Sequence, residues 1–177
     1  MVSSNDVLVS STSLIGNPSL NHRYRKGFYS LFKTLQQNRD TFKVLSMAMI
    51  SKVGGASGPL YGSAFMNMMK ATKDVDVINS QEQLGKIIEE GTNGIQARGK
   101  AEAEDKTMLD VWLPVTEALK NNQLTADVIE NAKEHTKNLV AKKGRASYLG
   151  EWAIGHIDPG AASSAILFQT LLDVIHG

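Results

Sequence analysis

The chain has 177 residues, a formal net charge of +1, 42% hydrophobic and 21% charged residues, and no cysteine. That composition suits one soluble globular domain and excludes a disordered chain, disulfides, thiol catalysis and Cys-ligated metal. The near-zero charge gives no electrostatic reason to expect nucleic acid or an anionic membrane, and no apolar run approaches the ~18 residues of a spanning helix, so a cytoplasmic protein is expected.

Met1–Ser13 is polar, with only Val2, Val7, Leu8 and Val9 to bury, and is read as a poorly ordered lead-in, or a short strand, ahead of one helical domain over residues 14–177. Gly16, Asn17 and Pro18 make Leu14–Leu20 turn-like. Tyr24, Phe28, Leu31, Phe32 and Leu35 then recur at helical spacing. Arg23, Arg25 and Lys26 crowd the first turn of that helix, where the dipole disfavours them. They are read as a solvated end, or as facing an anion.

Asp40 or Thr41 is placed to cap a second helix with Phe42, Leu45, Met49 and Val53 on one face. It stops at Gly54-Gly55. The junction Gly54–Phe65, GGASGPLYGSAF, puts Pro59 in the opening turn of the next helix with Ser57 just before it. Free amides beside a hydroxyl suit a phosphate. The same glycines also suit two helices packing closely. No Gly-Lys-Ser/Thr follows, so this is not a Walker loop.

The Met-rich face Met66, Met68 and Met69 reads as core. Lys73–Ser80 is a linker, and Gln81–Arg98 an amphipathic helix whose Gly91 and Gly94 suggest a close neighbour. Asp105 or Thr107 is placed to cap the helix carrying Met108, Leu109, Trp112, Val115 and Leu119, which Pro114 would kink unless it packs on a partner. Lys106 reads as a phosphate contact or an ordinary exposed lysine. Leu124–Lys143 reads as one long helix with Val128, Ile129, Ala132, Leu139 and Val140 inward and His135 as a packing residue.

Lys142–Leu167 carries four glycines, Pro159, Arg145, His156 and Asp158 between helices. Its bend at Gly155–Gly160 is read as an anion-receiving turn or a plain connection, ahead of a last helix from about Ser163 to Ile175. The pattern throughout is an all-α antiparallel up-and-down bundle or barrel of seven to eight helices. In such a bundle alternate junctions share one end, so the glycine-rich breaks have a place to meet.

Three blocks, KVGGASGPLYGSAF (Lys52–Phe65), ARGKAEAEDKTMLDVW (Ala97–Trp112) and KGRASYLGEWAIGHIDPGAASS (Lys143–Ser164), resemble the signatures of the dihydroxyacetone kinase L family. The resemblance runs from about Leu14 to the C-terminus. It implies an eight-helix antiparallel barrel holding ADP or ATP at one rim. It assigns phosphate contacts to the turn containing Gly55, Ala56 and Ser57, and adenine and ribose contacts to Gly99, Thr107, Met108, Arg145, Asp158, Pro159 and Gly160. It further implies two partners: a K subunit holding dihydroxyacetone, and an M subunit whose phosphohistidine recharges the bound nucleotide.

One family motif departs. Where the family carries an aspartate loop holding two magnesium ions, this chain reads IGNPSLNHRYRKGF (Ile15–Phe28), with Asn17 and Ser19 in place of two aspartates and Arg23 in place of an Asn. Magnesium favours anionic oxygens, which these neutral side chains do not supply. Two functions are therefore open: the phosphoryl-relay subunit itself, or a non-catalytic nucleotide-binding relative acting as regulator or assembly partner. Trp152 reads either as an anchor for a partner or as a buried residue.

Overall fold

The computed structural model describes residues 40–75 and 78–176. The lead-in, the turn at Leu14–Leu20, the stripe from Tyr24 to Leu35 and the family's metal-loop position lie outside these residues.

Six α-helices run through the described residues: α1 Asp40–Lys52, α2 Ser57–Ala71, α3 Gln81–Gly99, α4 Leu109–Lys120, α5 Ala126–His135 and α6 Pro159–His176. Two 3-10 segments, Thr136–Asn138 and Arg145–Ala153, lie between α5 and α6, and no strand occurs among the described residues. The all-α expectation holds. Local chemistry sets several starts: the Ser80 hydroxyl accepts from the Gln83 amide at 3.1 Å, and the Thr125 hydroxyl accepts from the Val128 amide at 3.3 Å.

Register follows from cross-helix contacts. Ser46 Oγ donates to the Gly62 carbonyl at 2.7 Å, and a Cβ at Gly58 would stand 2.2 Å from the Val53 carbonyl oxygen, so α1 and α2 run antiparallel. A Cβ at Gly94 would stand 2.8 Å from the Ser63 carbonyl oxygen, while Gly99 faces Leu60, so α2 and α3 are antiparallel as well. Thr92 bonds Thr116 at 2.8 Å and Lys120 bonds Glu89 at 2.8 Å, which sets α4 antiparallel to α3. Trp112 against Ser164 and Met108 against Gly160 set α4 and α6 parallel. The N-termini of α2, α4 and α6 therefore share one end of the bundle with the C-terminus of α3.

Below that end the core is aromatic. Trp112 and Phe168 meet edge to face with centroids 4.9 Å apart, and Tyr61 lies 6.2 Å from Trp112. Phe65, Met68, Ile88, Ile95 and Leu109 complete it. The methionine reading holds for Met68, which is buried, and Met69 packs partly buried against the core. α4 continues as one helix across Pro114, whose side is exposed.

Three expectations are corrected. The long helix over Leu124–Lys143 ends at His135, continues as 3-10 to Asn138, and leaves extended at Leu139 (φ −91°, ψ 149°). The cause lies at Thr136: its carbonyl accepts from Lys106 Nζ, and its hydroxyl oxygen accepts from the Asp158 amide, so neighbouring segments draw the chain out of α-helical register. His135 is exposed rather than packed, with Nε2 3.9 Å from Glu104 Oε1. The last helix starts at Pro159, not Ser163, because Asp158 caps it and proline suits the first helical position.

Candidate functional site

The shared end is built from the three sequence blocks. In the first, Gly55 takes φ +73°, a left-handed conformation that favours glycine, and turns the chain from α1 into α2. Gly54, Gly55 and Ala56 are exposed and Ser57 is half-buried at the first helical position. Ala56 supplies no side-chain cap. The opening amides of α2 have no carbonyl one turn back, and at Pro59 there is no amide at all. Ser57 and Gly58 thus carry the donors of an open helix N-terminus, which favours negative charge. Gly58 serves packing too, as its contact with Val53 requires.

The second block begins where α3 ends. A Cβ at Gly99 would come 3.1 Å from Leu60 Cδ2, which seats this residue beside the first turn of α2. The following loop is tightly wound: Lys100, Glu104 and Lys106 all take positive φ (50°, 65° and 58°) without being glycine. Carboxylates hold it. Asp105 accepts from the Glu102 amide, and Asp110 accepts from the Glu104 and Thr107 amides at 2.5 and 2.7 Å. Thr107 caps in part, accepting from the Leu109 amide at 3.2 Å. Burial pushes the Asp110 carboxyl up, with the Thr107 and Glu104 amides opposing. Met108 is buried, its Cβ and amide nitrogen against Gly160, so it forms the joint between the second and third blocks.

The third block supplies the N-terminus of α6. Asp158 is buried; its Oδ2 accepts from the Ala161 amide at 2.8 Å and its own amide donates to Thr136 Oγ1 at 3.1 Å. Burial raises its carboxyl to about 6, against the lowering pull of the Ala161 and Gly160 amides and of Lys106. The anion-receiving reading of this turn is corrected accordingly: the chain's own carboxylate occupies the start of α6. Pro159 and Gly160 are half-buried in its first turn. Arg145 opens the 3-10 segment Arg145–Ala153, on the connection that leads to Asp158.

The structure thus gathers Ser57, Gly99, Thr107, Met108, Asp158, Pro159 and Gly160 at one rim, with Gly55 and Ala56 on its open edge. Beneath it runs a hydroxyl belt that sequence reasoning missed. Tyr61 bonds Ser163 at 2.8 Å and Ser164 at 3.0 Å, and Trp112 Nε1 donates to Ser164 at 2.9 Å, tying α2, α4 and α6 together. A Tyr and a Trp in apolar stripes, each needing a polar partner, were the available signal. Lys106 is neither exposed nor free for phosphate: it is 3% exposed and donates to two backbone carbonyls. Trp152 is not buried in the bundle; it is 86% exposed, as Tyr148 is at 91%, both on the 3-10 segment.

Magnesium is the ion that the family resemblance implies. Asn17 and Ser19 offer no anionic oxygen, and among the described residues no group of three or more Asp, Glu or His is placed to hold a metal. The neutral side chains of Asn17 and Ser19 do not fit the aspartate role in holding magnesium. Among the described residues no helix is long and apolar enough to cross a membrane.

Residues 24–173 match the DAK2 domain. The chain is 59% identical over 133 residues to a Listeria innocua protein named "PEP-dependent dihydroxyacetone kinase 1, ADP-binding subunit DhaL", covering 75% of this chain and 66% of that one. It is 47% identical to the "PTS-dependent dihydroxyacetone kinase, ADP-binding subunit DhaL" of Lactococcus lactis, covering 77% and 68%. Against the corresponding Escherichia coli ADP-binding subunit, identity is 37% over 89% of this chain and 82% of that one. The match to the Listeria protein thus spans slightly under two thirds of that relative's length.

Proposed function

The chain belongs to the DAK2 domain family, and on that premise we propose that it is the ADP/ATP-binding subunit of a dihydroxyacetone kinase. In this reading a phosphohistidine on an M subunit charges the bound nucleotide. The nucleotide then passes the phosphoryl group to dihydroxyacetone on a K subunit. The observation that carries the proposal is the convergence of all three blocks at one rim, with the exposed turn Gly54–Ala56 leading into an α2 start that has no side-chain cap. Ser57, with Gly55 and Ala56, takes the phosphates; Gly99, Thr107, Met108, Arg145 and Asp158–Gly160 frame the base and ribose. The names of these relatives support ADP as the nucleotide. Transfer requires donor and acceptor in line at contact distance, so the K subunit docks over this rim. The cytoplasm is the proposed compartment.

Titration with ADP tests the binding step. Ser57→Glu sets a carboxylate against the phosphates and abolishes binding, while helical circular dichroism stays at the parent's level. Parent-like affinity in that variant would move the site elsewhere.

A second reading, a nucleotide-binding regulator or assembly partner without transfer, is favoured by Asn17 and Ser19 standing where family aspartates are expected. Positive charge from Arg23, Arg25 and Lys26 is a weaker clamp than bridging ions, because long side chains must first be ordered. Turnover of dihydroxyacetone with K and M subunits separates the readings, run beside a chimera with an intact aspartate loop in place of Met1–Tyr24. A chimera faster by about a hundredfold or more supports the second reading, and near-equal rates support the first.

A further inference from the structure

Lys106 has a setting that neither nucleotide contact nor plain stability explains. Its backbone is left-handed at φ 58°, its side chain is buried, and its Nζ donates to the Thr136 carbonyl at 2.5 Å and the His156 carbonyl at 2.7 Å. Those carbonyls belong to the 3-10 segment that follows α5 and to the turn entering α6. One ammonium thus joins the loop carrying Thr107 and Met108 to both segments that flank Asp158. Asp158 and Asp110 are the carboxylates close enough to act on it; Asp105 and His135 act in turn on Asp110. Burial lowers the ammonium's pKa and the two carboxylates oppose that drop. A buried cation seldom adds net stability over an apolar residue of similar size, and the left-handed backbone adds strain. What this arrangement does supply is a fixed relation between Met108 and Gly160, which lie so close that a Cβ at Gly160 would stand 3.2 Å from the Met108 Cβ and amide nitrogen.

We propose that Lys106 is a positioning residue of the rim: by holding Thr136 and His156 it presets Thr107–Met108 against Asp158–Gly160 before nucleotide arrives. The proposal rests on the nucleotide reading of the rim given above. Its physical basis is preorganisation, since a rim already in its bound shape loses less freedom when ADP binds.

The absence of native cysteine permits a side-chain rescue. Lys106→Cys is alkylated with bromoethylamine in denaturant and refolded, which restores an ammonium at lysine length. ADP affinity is measured for the parent, Lys106→Met, and Lys106→Cys before and after alkylation. Lys106→Met and unalkylated Lys106→Cys are expected to bind at least about tenfold more weakly, and the alkylated protein to return within about threefold of the parent. In Lys106→Met the midpoint of the pH dependence of affinity moves upward, because Asp158 loses the cation that lowers it while Asp110 remains. Parent-like affinity in Lys106→Met, or no recovery in a folded alkylated protein, overturns the proposal. Should Lys106→Met not fold, the two forms of Lys106→Cys carry the comparison. A parent that does not bind ADP defeats the nucleotide reading separately. Hydrogen exchange without nucleotide then still judges the tie: amides of Gly155–Ala161 are expected to exchange at least about tenfold faster in the variant, with α3 unchanged, and equal exchange overturns it.

Discussion

The middle of the bundle and its rim are made of different materials. Around Trp112 the interior is apolar and closed, and its few polar atoms are paired, as Thr92 is with Thr116 and Trp112 with Ser164. At the rim, a few residues away along the same helices, Lys106, Asp105, Asp110 and Asp158 are buried and three non-glycine residues hold positive φ. Burying charge and straining backbone both cost stability, whereas packing aromatic rings supplies it. The comparison teaches a division of labour. The middle holds the fold, and the rim spends part of that stability on a fixed shape.

The largest expected effect lies in the middle. Trp112→Ala removes a fully buried ring, its contact with Phe168 and its bond to Ser164, and is expected to cost about 3–5 kcal/mol by denaturant unfolding. A cost below about 1 kcal/mol would erase the distinction between the regions.

At the rim the effect is smaller and depends on pH. Asp158 titrates at about 6 in the folded protein, above its ordinary 3.8, so between those values the folded state holds a proton that the unfolded state has lost. Stability from this group therefore falls as pH rises from about 4 to about 6 and is level above. Asp158→Asn keeps an oxygen to cap α6 and removes the charge. The variant should match the parent near pH 4 and gain about 1–3 kcal/mol relative to it by pH 7, read from urea midpoints across the range. A constant difference at all pH values would show that burial of the charge is not what sets this carboxyl.

The smallest effect on stability is expected on the 3-10 segment. Trp152→Ala, at an exposed site, should change unfolding free energy by no more than about 0.5 kcal/mol. If the ring anchors a K subunit, the same change should weaken the complex about tenfold or more in gel filtration or interferometry. Unchanged association would remove Trp152 from the docking surface.

Much of the fold was legible in sequence because the helices carry clear apolar stripes, and α1 and α3 end at or just before glycine. Trp112, Ile88 and Phe168 sit on those stripes and fill the core. Helix parity gave the glycine-rich junctions a shared end at which to meet. Less legible was whatever depended on partners distant in sequence. Lys106 looked exposed because no local pattern announces carbonyls at Thr136 and His156, 30 and 50 residues away. The ties at Thr136, from Lys106 and from the Asp158 amide, cut short the expected helix at His135, overriding a continuing amphipathic pattern. Asp158 looked like the edge of an open turn, and its role as a cap depended on where α6 begins.

The central claim is that the rim binds nucleotide through the α2 turn and the two joined blocks, without needing the family's magnesium loop. Calorimetric titration with ADP, with and without magnesium, tests it most directly. The account predicts saturable binding in both buffers, with affinities within about threefold of each other. No binding in either buffer, or binding only when magnesium is present, would contradict it.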